Sequence, residues 1–184
     1  AFIDVSMLDC QIAILENAIA RYLSKNEIPG PMGSRHPSIA PFEAFKTKDS
    51  YIIIAAGNDK LFTKLCDVLK IPETANDERF NSNSLRCENM DQLKEIFEKQ
   101  LRSKSTNEWV KEMEALKIPC GPIFNIKQAV ENPQIQERNM IVKSYHKIIG
   151  EFKSAGNPIK MSTYKDENTR GDIPDLDEHR EKII

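Results

Sequence analysis

The side chains best suited to act as bases, nucleophiles or metal ligands are few: three histidines, His36, His146 and His179, and four cysteines, Cys10, Cys66, Cys87 and Cys120. No two histidines are closer than His146 and His179, 33 positions apart, so none shares a helix face with another as a metal-binding pair would. The cysteines form no C-x-x-C pair, which removes zinc ribbons and thioredoxin-like motifs. Cys120, in "IPCGPI", has no visible histidine partner to take its proton, and a small buried thiol is the plainer reading. His36, in "SRHPSIAP", could serve as a general base on a loop, or His-Pro could simply make a turn; both readings stand. Gly57, in "AAGND", sits at a strand-to-helix turn where backbone N–H groups can cradle phosphate, yet without a GxGxxG or GK[ST] context ordinary turn geometry explains it. Asp77 and Glu78 fall in a polar stretch and read as solvated. From these groups alone no self-contained active site and no metal site emerges.

Composition bounds the scaffold that can hold them. With 184 residues and 40% hydrophobic content, the chain can build the core of a single domain. A formal charge of −2, from 26 basic and 28 acidic residues, provides no global basic field to gather nucleic acid or an anionic membrane, so neither is an expected partner. Dispersed cysteines fit reduced thiols. No run approaches the roughly 18 apolar residues of a membrane span, and no basic-then-apolar leader opens the sequence. The expectation is a soluble protein of the cytoplasm or an organelle matrix.

The opening "FIDVSMLDCQIAILENAIARYL" predicts a strand over Phe2, Ile3 and Val5, then a helix capped by Ser6 with Asp9. Its apolar positions from Leu8 through Ile12, Leu15, Ile19 and Leu23 follow helical spacing, and Ala13, Ile14 and Ala18 widen the stripe until burial on more than one side is expected. Four prolines and two glycines between Lys25 and Pro41 predict an irregular connection. "FEAFKTK" and "YIIIAA" flank Asp49-Ser50 as a hairpin, its second strand reading as buried on both faces. Next come a helix capped at Asn58 or Asp59 and a turn after Pro72. A long amphipathic helix bearing Leu85, Met90, Leu93, Ile96, Phe97 and Leu101 follows. Ser105 and Glu108 then box a helix that carries Trp109, Val110, Met113 and Leu116 inward. Asn125 caps a short helix and Pro133 opens another. Beyond Arg138, "MIVKSYHKI" and "EFKSAGNPIKMS" predict a second hairpin, an extended tail and a short terminal helix.

The order of these landmarks says more than any one of them. "DVSMLD" before the first helix, "HPSIAPFEAFKTKDSYIIIAAGNDKLFTKLC", "NDERFNSNSLRCENMDQL" and "TNEWVKEMEALKIPCGPIFNIKQAVENPQIQERNM" occur in turn. A G-x-P-x-K-x-S turn at Gly156 to Ser162 and a P-x-L-x-x-H stretch at Pro174 to His179 close the series. Together they resemble the family III CoA-transferases, the carnitine CoA-transferase and bile-acid-inducible type, over essentially the whole chain. The resemblance implies an α/β fold: interlaced homodimers in which each polypeptide has a large Rossmann-like domain and a smaller α+β domain. On that pattern residues 1–24 are a strand and helix of the large domain and 25–42 a linker. Residues 43–132 form the small domain, and 133–184 the return linker and tail. The chain then corresponds to the C-terminal part of such an enzyme.

A reaction is implied as well. In the family an aspartate carboxylate attacks the thioester of an acyl-CoA, forming a mixed anhydride and releasing CoA thiolate that stays bound; a small carboxylic acid then takes over the acyl exchange. Coenzyme A thus enters as part of the acyl-CoA substrate, and no tightly bound cofactor or metal is expected. The nucleophile is expected before Ala1, so no catalytic residue is assigned here and the chain alone should be inactive. Asp4 and Asp9 do not match it, and Asp9 serves the helix cap. Met7 matches a position near the pantetheine arm of CoA, although core packing would also explain it. Gly33, Arg35 and His36 match a loop toward the acyl end of the family's cleft. Asp177 stands where the family has glycine in its terminal P-x-L-G-x-H stretch, which weakens any role for His179, and Ser50 replaces the usual glycine of the hairpin turn. Two other readings remain: the α-methylacyl-CoA racemase branch of the same superfamily, which moves a proton between two acid/base groups, and a non-catalytic binding or assembly module. The wording "HPSIAPFEAFKTKD" favours the transferase branch.

Overall fold

Residues 4–183 are described by the structure, a computed structural model, and their contacts divide the chain into two units, 1–122 and 123–184. In the first, Ser6 caps α1 (Met7–Ile14), its hydroxyl accepting from the Asp9 N–H at 3.3 Å. The expected long helix is instead two, because the chain steps at Leu15 and resumes as α2 (Glu16–Lys25), closed by Asn26 in the left-handed conformation. Neither helix buries a residue: Met7 is 87% and Ile14 75% exposed. Apolar residues run around α1, a pattern that suits a helix packed on more than one side, and the described residues do not supply those neighbours. Phe2 and Ile3, expected in a strand, lie outside the described residues.

The core of this unit rests on β1 (Phe42–Lys46), β2 (Tyr51–Ala55) and β3 (Cys120–Pro122), antiparallel in that order, with Phe45 opposite Ile52 and Ile53 opposite Gly121. Period-two alternation sends Phe45, Ile52 and Ile54 to one side. The isoleucine run predicts burial on both faces; the structure fully buries one and leaves Tyr51 exposed and Ile53 half-buried. The buried face is covered by α3 (Asp59–Val68), α4 (Asn83–Glu88), α5 (Met90–Leu101) and α6 (Thr106–Ala115). They contribute Phe62, Leu65, Leu93, Phe97, Trp109 and Met113. The single long helix expected over residues 85–101 breaks at Asn89, whose side-chain N–H donates to the Leu85 carbonyl at 3.0 Å and so competes with the helical ladder. Leu116, expected inward, is 47% exposed because α6 stops one residue earlier.

Asp49 ties the β1–β2 turn to the start of α6. Its Oδ1 accepts from the Thr106 N–H at 2.8 Å and the Thr106 hydroxyl at 3.0 Å, and the backbone bond, more than the hydroxyls of Thr106 and Thr47, holds the carboxyl below its ordinary 3.8. A carboxylate whose folded pKa is depressed contributes stability above its unfolded value, and that stability is lost as pH falls through the folded one. The urea midpoint of the native protein should therefore drop more steeply below about pH 4 than that of Asp49→Asn. Parallel curves would remove Asp49 from the acid response.

In the second unit, Asn125 and Gln128 form a capping box around α7 (Ile126–Glu131), and Asn132 caps α8 (Pro133–Glu137). The expected hairpin is β4 (Ile141–His146) with β5 (Gly150–Ala155), paired from Ile141–Ala155 to His146–Gly150. The expected extended tail supplies a further strand, β6 (Thr169–Asp172), parallel to β4, before α9 (Arg180–Ile183). Gly156 lies against backbone, where a Cβ would sit 2.1 Å from the Asn139 carbonyl oxygen, so only glycine fits. A cavity of about 560 Å³ lies in this unit, lined by Val142, Ile159, Tyr164, Asp166 and Arg170 among others, with Asp166 held by Lys160 and by Arg170 at 2.8 Å. No helix of the described residues is long and apolar enough to cross a membrane.

Candidate functional site

The loop from Gly33 to Pro41 enters β1, whose alternation puts Phe42 and Glu43 on opposite faces, and His36 and Arg35 of the loop each go to one of them. Gly33 turns the chain with φ of +63°, a left-handed value open to glycine. Arg35 then reaches the buried side, where its Nε donates to Glu43 at 3.1 Å and its Nη2 to Asp91, at the start of α5, at 2.6 Å. Glu43 is 3% exposed and takes a second cation, Lys94, on its other oxygen. The hydrogen bond to Asp91 raises the Arg35 pKa, and Arg35 in turn holds Asp91 below the usual carboxylate range.

His36 goes the other way. Its ring stacks on Phe42 with centroids 5.3 Å apart and planes 9° from parallel, while its backbone N–H donates to the Phe42 carbonyl at 2.9 Å. Nδ1 accepts from the Ser38 N–H at 3.2 Å. That bond places the proton of a neutral imidazole on Nε2, so His36 offers a hydrogen-bond donor rather than the free lone pair a general base needs. Among the described residues none accepts from Nε2.

The rest of the loop is pinned from below. Asn83 accepts from the Ala40 N–H at 3.0 Å and donates to the Ser38 carbonyl at 2.9 Å. Arg86, fully buried, donates through Nε to the Ala40 carbonyl at 2.8 Å, through Nη1 to the Phe80 carbonyl at 2.9 Å and through Nη2 to Asp59 at 2.7 Å. Its guanidinium also lies 4.5 Å from the Phe62 ring centroid. The Pro41 carbonyl accepts from the Ala56 N–H at 3.0 Å. Gly57 explains itself here: a Cβ would meet the Ile39 side chain at 2.6 Å, so the glycine makes room for the loop, while Asn58 already caps α3 by accepting from the Leu61 N–H at 2.9 Å.

The other sequence candidates stay apart from this loop. Met7 stands on α1 as an exposed thioether and no hydrogen bond joins it to Gly33, Arg35 or His36. Asp9, in the first turn of α1, donates its backbone N–H to the capping Ser6 hydroxyl. Burial pushes the Cys120 thiol up, and pushes Cys66 up to about 12, so neither is a ready thiolate. His146 accepts through Nδ1 from the Ile148 N–H at 3.2 Å within its own turn. Asp77, read as solvated, is instead taken up by Arg79, which lowers its pKa to about 2. No group of three His, Cys, Asp or Glu side chains converges as a metal site among the described residues. Glu43, Asn83, Arg86, Asp91 and Lys94 carry the loop, and sequence reasoning passed over all five. Only the i, i+3 spacing of Asn83 and Arg86 could have hinted at a shared face.

The comparisons with known proteins match this architecture along its length. The family model for CoA-transferase family III covers residues 1–180. The chain belongs to CoA-transferase family III. Among curated relatives it is similar to the acetyl-CoA:oxalate CoA-transferase of Acetobacter aceti, 39% identical over 178 residues, which is 97% of this chain and 44% of that protein. It is also similar to the succinyl-CoA:glutarate CoA-transferase of Homo sapiens, 32% identical over 100% of this chain and 42% of that protein. A solved CAIB/BAIF family protein from Brucella suis superposes with a TM-score of 0.77 at 32% identity, over 98% of this chain and 46% of its own. The chain therefore spans less than half the length of these relatives. The likeness extends over both units described above, with their mixture of helices and small sheets.

Proposed function

We propose that this chain forms the loop-bearing, C-terminal part of an enzyme that moves CoA from an acyl-CoA donor to a small carboxylic acid. Its close likeness to transferases named for acetyl-CoA with oxalate and succinyl-CoA with glutarate supports that substrate class. The covalent steps run through an aspartyl mixed anhydride and an enzyme thioester, and the aspartate that forms them is none of the carboxylates placed here. What this chain adds is a rigidly held donor. His36 sits on a loop pinned at Arg35, Ser38, Ala40 and Pro41, with Nε2–H unpaired among the described residues, and such a donor stabilises the oxyanion that develops when thioester or anhydride is attacked. Because the donor is fixed before substrate arrives, little reorganisation is needed as charge builds. Interlaced pairing of two polypeptides completes the cleft in this reading.

The single observation carrying it is the Ser38-to-Nδ1 bond, which selects the donor tautomer. The protein that carries this sequence should convert acetyl-CoA or succinyl-CoA, offered with oxalate, glutarate or succinate, into the acceptor's CoA thioester, read by mass spectrometry. His36→Ala should lower kcat by roughly 10²-fold, the usual loss for one oxyanion donor, with a smaller change in KM. Hydrolysis without transfer would overturn the proposal. So would exchange of the α-proton for deuterium with no transfer, the signature of the racemase branch.

A further inference from the structure

We propose that Asn83 and Arg86 are positioning residues that set the direction in which His36 presents Nε2–H. The inference rests on reading His36 as a donor to the acyl oxygen. Three positions apart on α4, the two side chains lie on one helix face and hold three backbone atoms of the loop: the Ser38 carbonyl, the Ala40 N–H and the Ala40 carbonyl. Only one orientation of the Asn83 amide satisfies both of its bonds, so it fixes the spacing of Ser38 and Ala40. The same Ser38 donates its N–H to His36 Nδ1. Ala40 leads through Pro41 to Phe42, the residue that accepts from the His36 backbone and stacks on its ring. The grip therefore reaches the imidazole by both routes, through Ser38 on one side and Phe42 on the other.

Arg86 is a strong anchor because it cannot move independently: Phe80, Asp59 and the Phe62 ring hold the rest of its guanidinium in the interior. A buried ion is a weak way to gain stability, since its desolvation cost is comparable to the attraction it recovers. A planar fork that fixes a carbonyl is a good way to gain orientation.

Asn83→Ala tests this without emptying the core, since Asn83 is only half-buried. In the protein that carries this sequence, kcat should fall about ten- to a hundredfold, the cost of a displacement of roughly an ångström, with KM for the acyl-CoA within about twofold. By NMR, the His36 Cε1–H resonance should move toward its position in Phe42→Leu, where the stacking ring is gone. In a His36→Asn background the same change should cost nothing further. Asn83→Asp, which keeps the acceptor and loses the donor, should fall between. A purely structural role predicts a lowered Tm with kcat and the His36 resonance unmoved, and that result overturns the proposal. Should His36→Asn turn over at the native rate, the donor reading fails by itself. An unmoved resonance in Asn83→Ala would then sink the positioning role, and a moved one would uphold it.

Discussion

Arg86→Ala should lower the unfolding free energy by about 3–5 kcal/mol, the largest loss expected from any polar residue described above. Truncation leaves the Ala40 and Phe80 carbonyls without donors in a region that water does not reach, and each such orphan costs about 1–3 kcal/mol. It also vacates the space against Phe62 that the guanidinium fills. Asp59 contributes little to the loss, because its side chain is 75% exposed and rehydrates once freed. Arg86→Lys keeps the charge but replaces a three-way fork with a point donor, so it should recover less than half of the stability. Urea denaturation gives the answer: with m near 1–3 kcal/mol per molar, the alanine variant's midpoint should fall by more than about 1 M at unchanged m. A shift equivalent to less than about 1 kcal/mol would mean that the two carbonyls find other partners.

Phe97→Ala should cost a similar amount, about 3–5 kcal/mol, by an apolar route. Phe97 is fully buried in α5 and lies between Phe45 of β1, at 5.8 Å between centroids and a 51° tilt, and Phe62 of α3, at 6.2 Å and 34°. Its loss opens a void at the point where sheet and helices meet, and close-packed neighbours relax only partly into it. Phe97→Leu, which keeps most of the volume, should lose only about 1–2 kcal/mol. Thermal unfolding of the pair separates the two contributions. Equal losses would show that ring geometry against Phe45 and Phe62, rather than filled volume, is what the core requires. The two positions also respond differently to chemistry: leucine is a mild change at Phe97 and a severe one at Arg86, where it leaves the same carbonyls unpaired.

Much of the scaffold is legible in the sequence alone. The caps at Ser6, Asn58, Ser105 and Asn125 form as expected, because each is a local bargain between a side-chain oxygen and an N–H two or three residues on. The hairpin through Asp49-Ser50 and the inward placement of Trp109 and Met113 follow from periods of two and 3.6, which survive any arrangement of neighbours. Family membership was legible too, from motifs in order along the chain. Elements whose extent depends on partners are less legible there. The break at Asn89 and the step at Leu15 interrupt patterns that look continuous, and β6 has no β-branched alternation to announce it, since a parallel strand added at a sheet edge takes its hydrogen bonds from β4.

The sequence by itself determined the local order of turns, caps and apolar faces, and placed Gly33, Arg35 and His36 together on one loop. Only the tertiary structure decided what holds that loop in place. It brought Glu43, Asn83, Arg86 and Asp91 from positions up to 56 residues away to hold the loop, and buried a whole arginine under Ala40. The physical reason is that capping and periodicity are properties of neighbours in sequence, whereas a buried ion and the grip of Asn83, Arg86 and Asp91 on the loop depend on groups that meet only when the chain has packed.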